Sequence, residues 1–195
     1  MSEVIKIANC SGFYGDNLSI AKKMVEGGPI DVLTGDYLAE LTMTILYNQK
    51  MKRGENQGYV GTFLKQFRDV AKLCNDQKIK IVSNAGGLNP ASMATEVENI
   101  IKELNLDLKV AYIDGDDLMP RLDELSSSGE KLKNIDKNND LFSYEKKPLT
   151  ANAYLGAWGI KEALDNGADV VICPRVTDAA VVIGPAAWKF NWSRN

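Results

Sequence analysis

The chain has 195 residues, 45% of them hydrophobic and 25% charged, with a formal net charge of −3 and a pI near 5.1. That length is enough for one domain with a sizeable core. The acidic balance and the lack of any Lys/Arg block exclude nucleic acid and an anionic membrane surface as partners, and no apolar run approaches the roughly 20 residues that span a bilayer. Cys10, Cys74 and Cys173 are far apart and odd in number, which fits a reducing cytoplasm, and the N-terminus enters a strand with no signal-peptide pattern. There is no histidine. This removes Ser-His-Asp and Cys-His chemistry within the chain and nearly all common zinc sites, and leaves acid–base work to Asp, Glu, Lys, Tyr or Cys.

In chain order, the apolar run at 4–8 predicts a first strand, followed by a glycine-punctuated loop at 9–16. Leu18, Ala21, Met24 and Val25 mark a helix stripe that Gly27-Gly28-Pro29 ends. A short second strand at 30–33 runs into Thr34-Gly35-Asp36-Tyr37. A long helix with Leu38, Leu41, Ile45 and Leu46 on one face comes next. Residues 52–58 read as a loop, and Tyr59, Phe63, Phe67, Val70 and Cys74 as the apolar face of the next helix.

The stretch that organises the chain is 78–90, where a β-branched run ends in Ser83-Asn84-Ala85-Gly86-Gly87-Leu88-Asn89-Pro90. It reads as a buried strand, a glycine turn, an Asn89 N-cap and Pro90 at the first helical position. Such a junction either points free amides at an anionic or carbonyl-bearing ligand or is simply a tight turn. Met93, Val97, Ile100, Ile101 and Leu104 continue as an amphipathic helix. A fourth strand at 108–113 ends in Asp114-Gly115-Asp116-Asp117, with a short helix marked by Met119, Leu122 and Leu125. Residues 126–147 are polar and read as an insertion with room for a hairpin. A helix through Ile160, Ala163 and Leu164, a fifth strand at 169–173 and a last helix at 179–188 complete the chain.

Strands alternate with helices, and runs such as Val170-Val171-Ile172 are continuously apolar. That is the pattern of a parallel sheet covered on both faces. Five strands are too few for a closed eight-stranded barrel, so the expectation is an α/β fold: an open, mostly parallel, doubly wound, Rossmann-like three-layer sheet. Residues 1–195 form a single α/β domain on this reading, with 126–147 as the insertion. Trp188 and Trp192 near the C-terminus point to an oligomer contact or to a further C-terminal segment.

In an open parallel sheet, ligands sit at the carboxyl ends of the strands. Candidate binding residues there are Asn9, Ser11, Gly12, Tyr14, Asn84, Gly86, Gly87, Asn89, Asn152, Arg175 and Asp178. Asp36 and Asp116 are candidate acid–base groups. Asp36 and Glu40, four apart, would share a helix face, where compensation of the helix dipole is an alternative explanation for Asp36. Asp116 and Asp117 are candidate Mg²⁺ ligands, against an N-cap in a solvated loop. Arg175 is placed to grip a carboxylate or to pair locally with Asp178. Cys10, at a strand end, is a candidate nucleophile if its thiol pKa is lowered, against a small buried residue. No Gly-x-Gly-x-x-Gly or P-loop motif occurs, so no NAD or nucleotide cofactor is expected.

Asn9-Cys10-Ser11-Gly12-Phe13-Tyr14-Gly15-Asp16, Thr34-Gly35-Asp36-Tyr37-Leu38-Ala39-Glu40 and Ser83-Asn84-Ala85-Gly86-Gly87 together resemble the acyclic terpene utilisation (AtuA-type) family. So do Gly115-Asp116-Asp117-Leu118, Ala151-Asn152-Ala153-Tyr154-Leu155-Gly156-Ala157 and Arg175-Val176-Thr177-Asp178. The resemblance covers the whole chain and corresponds to the N-terminal portion of a longer family domain. It implies a role in the breakdown of acyclic terpenoids, whose intermediates are CoA thioesters of branched acids. It brings no catalytic residue set. The resulting expectation is a cytoplasmic enzyme or enzyme subunit, a lyase or hydrolase, acting on a small acyl or hydroxyacyl ligand of CoA type. The alternative is a non-catalytic binding or assembly subunit.

Overall fold

The computed structural model describes residues 4–194. Five parallel strands, β1 (Ile7–Asn9), β2 (Val32–Gly35), β3 (Lys80–Ser83), β4 (Val110–Tyr112) and β5 (Val170–Ile172), lie in the order β1-β2-β3-β5-β4. Seven helices surround them: α1 (Ile20–Glu26), α2 (Glu40–Arg53), α3 (Gly61–Gln77), α4 (Pro90–Glu103), α5 (Leu122–Ser127), α6 (Trp158–Asp165) and α7 (Ala180–Lys189). This is the expected open α/β architecture.

Side-chain alternation builds the two faces. Leu33, Ile81, Val170 and Ile172 point into one apolar layer with Ala21 and Val25 of α1, Phe63 and Phe67 of α3, and Met93 and Val97 of α4. Their strand neighbours Val32, Val82 and Val171 point the other way, against Ile160 and Leu164 of α6 and Ala180 and Val181 of α7. A strand with apolar residues at every position is what two covered faces require.

Right-handed crossovers explain which helix goes where. The chain steps from β1 to β4 in one direction, so α1, α3 and α4 share one face. It then turns back to insert β5, which places α6 on the other. The consequence is functional. Adjacent strands β3 and β5 lead to helices on opposite faces, α4 and α7, so a crevice opens between their carboxyl ends.

Several local expectations change. β2 ends at Gly35, two residues later than expected, because Thr34 pairs with Asn9 and Val82 and so completes the ladder. α2 starts only at Glu40 and buries Thr42, Met43 and Leu46. Leu41, expected on the buried face, is 72% exposed, and Leu38 precedes the helix. Asp36 therefore lies in the loop before α2 and shares no helix face with Glu40. Residues 126–147 contain no β-hairpin. A loop closed by Asn134 N–H to Asn139 C=O (2.9 Å) and Leu141 N–H to Lys131 C=O (3.0 Å) ends in a 3-10 turn at Leu141–Ser143. Trp188 is half-buried with Lys80 over its ring, and Trp192 is 49% exposed and stacks on Phe190 at 6.0 Å. None of the described helices is long and apolar enough to cross a membrane.

Asn89 caps α4 as expected, accepting from Ser92 N–H at 3.1 Å, with Pro90 at the first helical position. The glycines before it serve packing. A Cβ on Gly86 would meet the Cys173 carbonyl at 2.6 Å and Pro90 at 2.8 Å, and Gly87 has φ +54°. Gly86→Ala should therefore destabilise the fold by about 1–3 kcal/mol, the usual cost of overpacking. Gly61→Ala, in open space at the start of α3, should be neutral or stabilising. Urea unfolding of the two variants checks the contrast.

Candidate functional site at the strand carboxyl ends

The site is built around Arg175, which follows β5 and is buried at 5% exposure. Its backbone N–H donates to Asp116 Oδ2 (3.1 Å), one guanidinium nitrogen donates to the Leu38 carbonyl (2.7 Å), and the other donates to the Tyr154 hydroxyl (2.5 Å). The guanidinium carbon sits 4.2 Å from the Tyr154 ring centroid, so the phenol both stacks and accepts. Carboxylates are present but distant: Glu40 at 3.4 Å and Asp178 at 3.9 Å, each on a largely exposed side chain. The local Arg175–Asp178 pair expected from spacing is thus the weakest of its contacts.

A strap of extended chain, 151–155, crosses the carboxyl edge. It is hydrogen-bonded on one side to Asp116 and Leu118 and on the other to Arg175 and Thr177. Asp116 fastens it: the backbone carbonyl accepts from Ala153 N–H (2.7 Å), and Oδ2 accepts from Asn152 Nδ2 (2.8 Å) as well as from Arg175 N–H. Burial pushes the Asp116 carboxyl pKa up, against the opposing effect of those hydrogen bonds. Asn152 and Tyr154 are two apart on extended backbone, so they share a side, one reaching Asp116 and the other Arg175.

Asp36 is the second focus. Its Oδ1 accepts from Asn84 Nδ2 at 2.5 Å, while Asn84 Oδ1 accepts from Tyr37 N–H at 2.8 Å, so one fully buried amide ties the ends of β2 and β3 together. Burial again raises the Asp36 pKa most, Asn84 opposes it, and the nearby Asp178 charge adds to the rise. At the rim, Tyr154 donates to Glu40 at 2.5 Å. That bond holds the Glu40 carboxyl below its ordinary range and raises the Tyr154 hydroxyl pKa. Glu40, Met43, Thr44, Leu149, Asn152, Tyr154 and Arg175 line a cavity of about 420 Å³ here, within the size range of small-ligand sites. A cleft of about 550 Å³ beside Leu108–Lys109 and Asn166 lies at the opposite, amino-terminal end of β4 and gathers none of these groups.

The structure thus brings together Asp36, Asn84, Asp116, Asn152, Arg175 and Asp178. Others among the expected residues serve elsewhere. The amides of the glycine loop are not free: Gly86, Gly87 and Asn89 N–H donate to Cys173, Asn84 and Gly86 carbonyls, and Leu88 N–H donates to Gly58. The Asn89 side chain braces the carbonyls of Glu55 and Gln57. Gly12 N–H and the Ser11 hydroxyl close on Asp16 Oδ2 (2.6 and 3.3 Å), Asn9 on the Ser11 carbonyl, and Tyr14 on Gln49. The β1 loop joins the site through Asp36 N–H, which donates to the Ser11 carbonyl at 2.9 Å. Cys10 is 3% exposed and 3.7 Å from the Tyr37 hydroxyl, and burial pushes its thiol pKa up, contrary to the expected lowering. Asp116 is buried and Asp117 exposed, with Asp117 Oδ1 accepting from Met119 N–H. No group of three or more His, Cys, Asp or Glu among the described residues could hold a metal ion.

Two predictions follow from the carboxyl groups. The folded pKa of Asp36 is raised, so the wild type loses stability as pH climbs from the ordinary carboxylate value through the folded one. Asp36→Asn should melt above the wild type at pH 7, and the difference should shrink toward zero near pH 4, read by calorimetry across that range. Asp116→Ala, which orphans buried donors, should cost about 2–3 kcal/mol and speed proteolysis within 148–155.

A family model described as acyclic terpene utilisation family protein AtuA matches residues 5–195. Neither the curated proteins nor the solved structures gave a match. With the family model covering nearly the whole chain, the protein belongs to the acyclic terpene utilisation family.

Proposed function

We propose that the carboxyl edge between β3 and β5 is an acid–base site for a small branched acyl or hydroxyacyl compound, carried as its CoA thioester. The observation that carries this reading is Asp36: a carboxyl at the topological crevice, fixed by a buried Asn84, with its pKa raised by burial and by Asp178. A carboxyl raised toward neutrality is suited to giving and taking protons. The fold gains nothing from that rise, since desolvating a carboxylate destabilises it. The cavity of about 420 Å³ is lined by Arg175 and not by Asp36 itself; it suits a short acyl group that reaches past Arg175 toward Asp36, with the nucleotide end of CoA left in solvent. In this reading Asp36 moves the proton, Asp116 and Asn152 hold the strap that forms one wall, and Arg175 fixes its rim. Lyase and hydrolase chemistry on a carbonyl-bearing substrate both use such a proton-transfer group. The family name supports terpenoid catabolism as the setting.

A second reading, a binding or assembly subunit, is favoured by exposed apolar side chains: Leu149 in the cavity lining is 47% exposed, and Leu41, next in the chain to Glu40, is 72% exposed. Self-association through the exposed Trp192 belongs to the same reading.

A thermal-shift screen with CoA, branched short-chain acyl-CoA, free terpenoid acids, NAD(P)H and Mg²⁺, followed by product analysis by mass spectrometry, separates the two. The proposed site predicts stabilisation by branched acyl-CoA and not by NAD(P)H. It also predicts that Asp36→Asn keeps the shift and loses at least about 100-fold in turnover. An acyl-CoA shift with no product, in wild type as in Asp36→Asn, would sustain the binding reading instead.

A further inference from the structure

A guanidinium buried to 5% exposure ordinarily meets a carboxylate in bidentate contact. Arg175 has none. Its firm acceptors are the Leu38 carbonyl and the Tyr154 hydroxyl, both neutral. Its two carboxylate neighbours reach it only at 3.4 and 3.9 Å, from side chains that are 83% and 72% exposed. Glu40 is held on the rim of the cavity mainly through Tyr154, whose hydroxyl accepts from Arg175 and donates to Glu40 at 2.5 Å each. Three of the groups that line the cavity are therefore one cation, one phenol and one exposed carboxylate in a chain.

We propose that Glu40 is a built-in stand-in for a carboxylate on the ligand. The true ligand carries a free carboxylate that enters this cavity, displaces Glu40 and takes over the Tyr154 hydroxyl, which Glu40 now holds at 2.5 Å, and the guanidinium, which Glu40 reaches only at 3.4 Å. The exposed Glu40 side chain swings into solvent, giving up an exposed ion pair that contributes little and a hydrogen bond from Tyr154 that the ligand's carboxylate replaces. The entering group sits against Met43, Leu149 and the Tyr154 ring and can approach the guanidinium more closely than the 3.4 Å at which Glu40 reaches it. Tyr154 is the positioning residue: its ring keeps the guanidinium in plane, and its hydroxyl passes from Glu40 to the ligand. The proposal rests on reading the carboxyl edge as the ligand site, and it narrows the substrate to acyl compounds bearing a second, anionic end.

The test is an NMR titration of the full chain with 3-methylbutanoate and with 3-methylbutanamide, its uncharged isostere, repeated on Glu40→Gln. Glutamine still accepts from Tyr154, so the exposed variant removes only the competing charge. The expected result is carboxylate binding with shifts at residues 38–40, 154 and 175, at least about tenfold tighter than the amide. Glu40→Gln should tighten the carboxylate about two- to fivefold, the range set by releasing an exposed ion pair, and leave the amide unchanged. Arg175→Lys should weaken the carboxylate about tenfold, since a point charge does not replace a planar fork. Equal binding of the two compounds, or a carboxylate affinity that Glu40→Gln leaves unchanged, would overturn the proposal. If branched acyl-CoA still stabilises the wild type in that case, the site reading survives and only the carboxylate requirement falls; if it does not, both fall.

Discussion

A guanidinium cannot be taken out of water without acceptors, and in this protein the acceptors of Arg175 come from three separate segments. The Leu38 carbonyl belongs to the loop after β2, Tyr154 to the strap that returns from β4, and Glu40 to the first turn of α2. Its own backbone amide is fixed by Asp116, from the end of β4. One buried cation thus sets the relative positions of the loops that leave β2, β4 and β5. The β3 loop joins through Asn84, which bridges Asp36 and the Tyr37 amide. Removing the positive charge would leave the Leu38 carbonyl and the Tyr154 hydroxyl without their donor and would let the strap drift from the sheet edge.

The crevice exists because of strand order. β5 is inserted between β3 and β4, so neighbouring strands send their chains to opposite faces and leave a gap at their carboxyl ends. The first residues beyond β3 and β5 still hold to each other before the chains part. Cys173 N–H donates to Ser83 at 2.7 Å, and Gly86 N–H donates to Cys173 at 3.0 Å. Within that frame, two carboxyls, Asp36 and Asp116, are held with raised pKa values. For Asp116 the fold recovers something, because its oxygen fastens two segments. For Asp36 it recovers one bond to Asn84 and accepts a partly desolvated charge.

Much of this was legible in the sequence. Continuous apolar strands predicted two covered faces, and the spacing of Met93, Val97, Ile100 and Ile101 located a helix whose buried side is those same residues. The strand-end polar residues marked the carboxyl edge, where the structure gathers Asp36, Asn84, Asp116, Asn152 and Arg175. What was not legible has physical causes. The Asn84-Ala85-Gly86-Gly87-Leu88 turn looks the same whether its amides face a ligand or the Cys173 and Gly58 carbonyls, because those partners are 87 and 30 residues away in the chain from Gly86 and Leu88, beyond any local pattern. Leu41 reads as core by periodicity, but α2 buries only Thr42, Met43 and Leu46, and Leu41 falls outside that narrow stripe. Tyr154 carried a signal that spacing alone supplies: on extended backbone it shares a side with Asn152. The acceptor role of the Leu38 carbonyl had none, since a backbone carbonyl is present at every position.

The most direct test of the account is where a ligand protects the chain. Hydrogen exchange measured on the full protein with and without saturating 3-methylbutanoyl-CoA reads this at segment resolution. The account predicts slowed exchange in 36–40, 151–155 and 175–178, with the cleft at 108–111 unaffected. Protection confined to 108–111 and 163–168, or no protection in any of the three predicted segments while the ligand is bound, would contradict it.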